Sequence, residues 1–178
     1  MNLYIELETY NREVESKMLL ALEAVSRGYN VVIAHRDIIQ KFALENTIPP
    51  GIIHMKDANS GSYQIDKLKK LKKKNFLLSA QDEESGMLNE KFDQFAKLRF
   101  NNFKSFKYLN YFFCWGYRDF NYLKKKFKIS HLTGSPRYDL YLSKKKIKKK
   151  KRILVVSSFN STGIRSFGDR IFANIGFR

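Results

Sequence analysis

One cysteine, three prolines and half as many acids as bases close several of the usual routes to a stable or active protein. Cys114 alone cannot form an internal disulfide, so packing must hold the fold, and a reducing compartment suits it. Its neighbours, YFF before it and Trp115 after it, are apolar, which predicts a buried thiol and not a nucleophile. No apolar run approaches the roughly 20 residues of a membrane span. The opening MNLYIELE lacks the basic-then-apolar layout of a signal peptide. These absences point to a cytoplasmic protein.

Familiar chemical signatures are also missing. There is no G-x-G-x-x-G after the first strand and no G-x-x-x-x-G-K-[ST], which argues against a dinucleotide site and against the usual nucleotide loop. No G-x-S-x-G elbow supports a serine hydrolase. His35, His54 and His131 are scattered without metal-ligand spacing, so no metal is expected.

What is present is length, charge and alternation. The 178 residues suit one well-packed domain, and 43% hydrophobic content can build its core. The net charge of +17 comes largely from lysine runs: KLKKLKKK (67–74), KKKFK (124–128) and KKKIKKKKR (144–152). Such charge attracts polyanions, and such runs also make ordinary solvated helix faces. Strand-like segments at 3–7, 29–35, 51–55, 75–80, 108–116 and 128–134 alternate with helical patterns at 11–28, 36–46, 63–74, 88–100, 117–127 and 136–142. Val14, Met18, Leu22 and Val25 recur at helical spacing and predict the inward face of the first helix. Phe92, Phe95 and Leu98 do the same for the fourth.

This alternation predicts an α/β fold, a Rossmann-like parallel sheet of about six strands with flanking helices, over residues 1–142. The basic run 143–151 reads as a linker. A seventh strand at 152–159 starts a second domain that 152–178 leaves unfinished, or joins the first sheet at its edge.

Ligands of open parallel sheets bind beyond the carboxyl ends of the strands. The residues found there include Glu8 and Thr9 after the first strand, Lys56 and Asp57 after the third, and Asp82, Glu83 and Glu84 after the fourth. Trp115 and Gly116 follow the fifth, and Gly134 to Asp139 follow the sixth. The acids of DEESG (82–86) are the candidate catalytic base, since adjacent carboxylates repel and one then holds its proton more tightly. They equally suit a helix start, where the dipole favours acids. In TGSPRYD (133–139), Gly134 permits a tight turn and Arg137 can bind phosphate or carboxylate, or pair with Asp139. In ETYNRE (8–13), Arg12 and Glu13 stand at the mouth of the first helix.

Taken in order, YIELETYNREVESKMLLALEAVSRGYNVVIA, IPPGIIHMKDA, DEESG, FFCWG and TGSPRYDL resemble the bacterial surface carbohydrate (surface polysaccharide) biosynthesis protein family. The resemblance spans essentially the whole chain. It departs from the family in an inserted Ser85, in Ser135 where Asn is usual, and at Ser157 to Phe159. The resemblance implies a GT-B-like glycosyltransferase with two Rossmann-like domains. A nucleotide-activated donor is held mainly by the second domain, with no cofactor or metal, and the acceptor is a glycan or a lipid-linked sugar. It implies substrate-binding roles for Arg12, Glu13, Gly86, Trp115, Gly116, Gly134, Pro136, Arg137 and Asp139. The lysine-rich faces would suit the anionic inner surface of a membrane. The 178 residues by themselves are expected to be inactive. The competing expectations are a basic α/β nucleic-acid-binding module, which lacks any known motif, and an inactive fragment.

Overall fold

The structure, a computed structural model, describes residues 1–59, 61–83 and 92–143. Six strands form one all-parallel sheet: β1 (Asn2–Leu7), β2 (Asn30–His35), β3 (Ile52–Met55), β4 (Leu77–Gln81), β5 (Tyr111–Cys114) and β6 (Ser130–Leu132). Their spatial order is β2-β1-β3-β4-β5-β6. The crossovers are α1 (Tyr10–Ser26), α2 (Arg36–Leu44), α3 (Ser62–Lys73), α4 (Phe92–Arg99) and α5 (Tyr117–Leu123), and α6 (Pro136–Ser143) follows β6. The chain is therefore α/β with a six-strand, all-parallel, Rossmann-like sheet flanked by helices. The basic linker and the seventh strand lie outside the described residues. Among those residues no helix is long and apolar enough to cross a membrane.

Parallel strands form here because helices can cover both faces of the sheet. One face carries Tyr4, Ile53, Met55, Leu78, Ala80, Phe112 and Cys114, packed with Ile39 and Ala43 of α2 and with Leu68 and Leu71 of α3. On the other, Leu3 and Ile5 pack with Ala21 and Ala24 of α1. The chain closes tightly where β3 begins. A Cβ on Gly51 would lie 2.5 Å from the Asn2 carbonyl oxygen, so only glycine lets β3 come alongside β1 there. Cys114 is buried as expected, and burial pushes its thiol up to about 12, with the nearby Asp119 carboxylate adding to the shift.

Two helices turn other faces inward than their apolar spacing predicts. In α1 the buried residues are Glu13, Ser16, Lys17, Ala21 and Ala24, whereas Met18 is 46% and Leu22 64% exposed. Small side chains let the helix lie close on the sheet, and the two charged ones reach partners at the strand ends. In α4 Ala96 is buried and Leu98 is 83% exposed, with Phe92 and Phe95 only partly covered. Phe100, just past that helix, takes the inward place instead.

Between α4 and β5 the chain makes two 3-10 turns, Asn101–Phe103 and Phe106–Tyr108, which the alternating pattern does not foreshadow. They carry an aromatic cluster onto the sheet. Phe106 is its centre, with ring centroids 4.9 Å from Phe112, 4.7 Å from Phe127 and 5.3 Å from Phe100. Phe106→Ala removes those contacts and leaves a cavity, so it should cost about 3–5 kcal/mol. Urea unfolding of the two proteins measures the difference. A loss below about 1 kcal/mol would show that this cluster does not anchor β5.

Candidate functional site

The strand order reverses between β1 and β3. α1 leaves β1 toward one face and α3 leaves β3 toward the other, which opens a crevice at their carboxyl ends. Into this edge run Glu6 from β1, Glu8 just after it, Lys56 and Asp57 after β3, and Asp82 and Glu83 after β4. Ion pairs link nearly all of them.

Glu13 is fully buried in the first turn of α1. Its carboxylate accepts the Glu8 backbone N–H at 2.9 Å and faces Arg12 at 3.1 Å and Lys56 at 3.8 Å. Burial alone would push its pKa up, but those N–H and cationic neighbours bring it below the ordinary value. Lys56 also pairs closely with Glu8, whose carboxyl is held below its usual range mainly by that contact.

Asp82 and Glu83 lie side by side in sequence but point to opposite faces, as successive residues of an extended chain do. Asp82 spends both oxygens on Arg99, at 3.0 and 2.8 Å. Glu83 gives one oxygen to Lys17 at 2.5 Å and the other to Arg137 at 2.9 Å. The carboxylates therefore do not face one another, and the repulsion that adjacency suggests gives way to pairing with cations. Glu84, Ser85 and Gly86 lie outside the described residues.

The β6–α6 turn is fixed from below. Gly134 has φ of +81°, a conformation other residues rarely take, and its carbonyl accepts the Gln81 side-chain amide at 2.7 Å. Pro136 then opens α6 in its first helical position. Arg137 reaches Glu83, not its neighbour Asp139, which stays exposed in the first turn. Trp115 meets Tyr138 edge-on, with ring centroids 5.4 Å apart. Gly116 caps α5 in an extended conformation with open space where a side chain would stand.

The ends of α1 and α6 thus stand over the carboxyl edge and enclose an open cleft of about 430 Å³. Thr9, Asn11, Arg12, Glu15 and Ser16 line one wall, and Arg137 and Leu140 the other. Of the residues singled out by sequence, Arg12 and Arg137 line the cleft. Glu13 and Glu83 hold those arginines from behind. Trp115, Gly116 and Gly134 shape the neighbouring turns, and Asp82 braces α4.

Several members of the network carry no motif. Lys17 lies one turn after Glu13 on the same helical face, a spacing that could have shown it. Glu6 is an acid inside an otherwise apolar strand, an equally visible signal. It is buried, hydrogen-bonded by the Gln40 amide at 2.7 Å, and burial pushes its carboxyl up to about 7. Nearby, His54 lies 3.1 Å from the Ser79 hydroxyl. Burial and the Lys17 charge bring its imidazole down to about 3. Among the described residues no group of His, Cys, Asp or Glu is placed to hold a metal ion.

Buried ion pairs are costly to desolvate, and perturbed groups gather where function needs them, so this edge is the candidate site. Two outcomes follow from its electrostatics. Asp82→Asn leaves Arg99 facing a neutral group and should destabilise the fold by about 3–5 kcal/mol, read by urea unfolding. The folded-state pKa of Glu6 is raised from an ordinary 4.5, so the native state binds the extra proton. The contribution of this group to stability therefore falls as pH rises from about 4.5 to 7, by about 3 kcal/mol, and is level beyond. Glu6→Gln should gain on the parent across that window, and an unchanged difference between pH 5 and pH 8 would refute the shift.

No protein-family model matches the chain, and neither the curated proteins nor the solved structures hold a match to it.

Proposed function

We propose that this sheet is the acceptor-side part of a glycosyltransferase-like protein of surface polysaccharide biosynthesis, working with a nucleotide-activated donor held mainly by a second domain. The observation that carries the reading is the polar cleft between α1 and α6, at the carboxyl edge beside the reversal in strand order. Hydroxyl, amide and guanidinium groups line it, the chemistry that a sugar or sugar-phosphate acceptor requires. In this reading the Lys17–Glu83–Arg137 pairs fix the walls of the cleft. A base for the acceptor hydroxyl is left to Glu84, or to Glu15, the carboxylate that lines the cleft. The nucleic-acid alternative draws on net charge, yet the lysine run on α3 lies on the sheet face opposite α1, away from the cleft.

The test is genetic. Deleting the gene should abolish or truncate the surface polysaccharide, measured by gel and sugar analysis. The wild-type gene should restore it, and the Arg12→Ala, Arg137→Ala double variant should not. An unchanged polysaccharide in the deletion strain would overturn the reading.

A further inference from the structure

We infer that the cleft between α1 and α6 is built to hold a phosphate group, gripped from its two walls by Arg12 and Arg137. The inference rests on the acceptor-side reading and narrows it to a phosphorylated acceptor.

Among the described residues, the two ion-pair groups beside the cleft differ in charge. Glu83 is shared by Lys17 at 2.5 Å and Arg137 at 2.9 Å, two cations on one carboxylate. On the other wall, Arg12 and Lys56 face Glu13, and Lys56 also pairs with Glu8, so that group is neutral. The surplus positive charge therefore lies around Glu83, where Lys17 of α1 is buried and Arg137 of α6 lines the cleft. A surplus charge in a shielded place favours a bound counter-ion.

Donor capacity points the same way. Arg137 gives a terminal nitrogen to Glu83, while its Nε, shielded from water, has no hydrogen-bond partner. A shielded donor without a partner is unfavourable, and a small turn of the guanidinium toward an anion would relieve it. Across the cleft the Arg12 side chain is about half exposed, and its fork is only partly used by Glu13. The Thr9 hydroxyl does not cap α1 and is another donor on that wall. Forks approaching from two walls need an acceptor with oxygens in more than one plane. A tetrahedral phosphate offers that, and a flat carboxylate does not. Glu15 on the rim opposes an anion, so the grip depends on both arginines together.

The probe is inorganic pyrophosphate, titrated calorimetrically into the 178-residue chain. Saturable binding should weaken about tenfold or more in Arg137→Gln, the loss of one charge-assisted contact. Because that change also frees Glu83, Arg12→Gln serves as the second variant and should weaken binding similarly without unfolding the chain. Arg137→Lys keeps the pair with Glu83 but loses the fork, and should bind less tightly than the parent. Uridine diphosphate and vesicles containing phosphatidic acid, each competed with pyrophosphate, distinguish a soluble diphosphate from a lipid headgroup, and competition by either supports the site. No pyrophosphate binding by the parent chain, or binding by the folded Arg12→Gln or Arg137→Gln variant as tight as the parent's, overturns the inference. Loss of polysaccharide in the deletion strain with no pyrophosphate binding would sink the phosphate site and leave the broader reading standing.

Discussion

A single carboxylate, Glu83, ties the end of β4 to two helices at once. Lys17 approaches it from α1 and Arg137 from α6. Because both cations need it, the two helices must stand over the same strand end, and the space between them becomes the cleft. The other polar contacts of the edge follow this placement. Glu13 can bind the Glu8 N–H only because α1 is drawn down here, and Gln81 can hold the Gly134 carbonyl only because α6 begins just above it.

This arrangement explains an apparent waste of apolar surface. Helix α1 could have turned Met18 and Leu22 onto the sheet, which would bury more hydrocarbon. It turns Lys17 and Glu13 inward instead, with Ala21 and Ala24 as close-packing spacers. Buried ion pairs return little net stability, so the preference makes sense as positioning and not as stabilisation. Stability comes from the opposite face, where the phenylalanines around Phe106 and the apolar side chains of α2 and α3 fill the core.

That division also shows what could be read in advance. The alternation of strand and helix patterns placed all six strands within a few residues, because parallel strands and their crossovers have distinct periods. Register onto the sheet was harder. A hydrophobic stripe locates the inward face only when burial of hydrocarbon decides it, and in α1 charge decided. The 3-10 turns before β5 were illegible, since three-residue turns carry no period. At the site, Asp82, Glu83 and Arg137, singled out after strand ends, and Arg12 and Glu13, singled out at the mouth of the first helix, lie along one edge. Their pairings were not legible, because Lys17 comes from the interior of α1 and Arg99 from the last turn of α4, places where a cation usually means solvent or the helix dipole.

One consequence lies in the two buried groups of neighbouring strands. Glu6, with its pKa near 7, and His54, near 3, are both largely uncharged in the folded protein around pH 6. In the unfolded chain at that pH the glutamate would be an anion and much of the imidazole a cation. Unfolding therefore hands a proton, in effect, from one to the other. Near pH 6 the pair exchanges almost nothing with the solvent, and the chain carries nearly the same net charge from these groups whether folded or not.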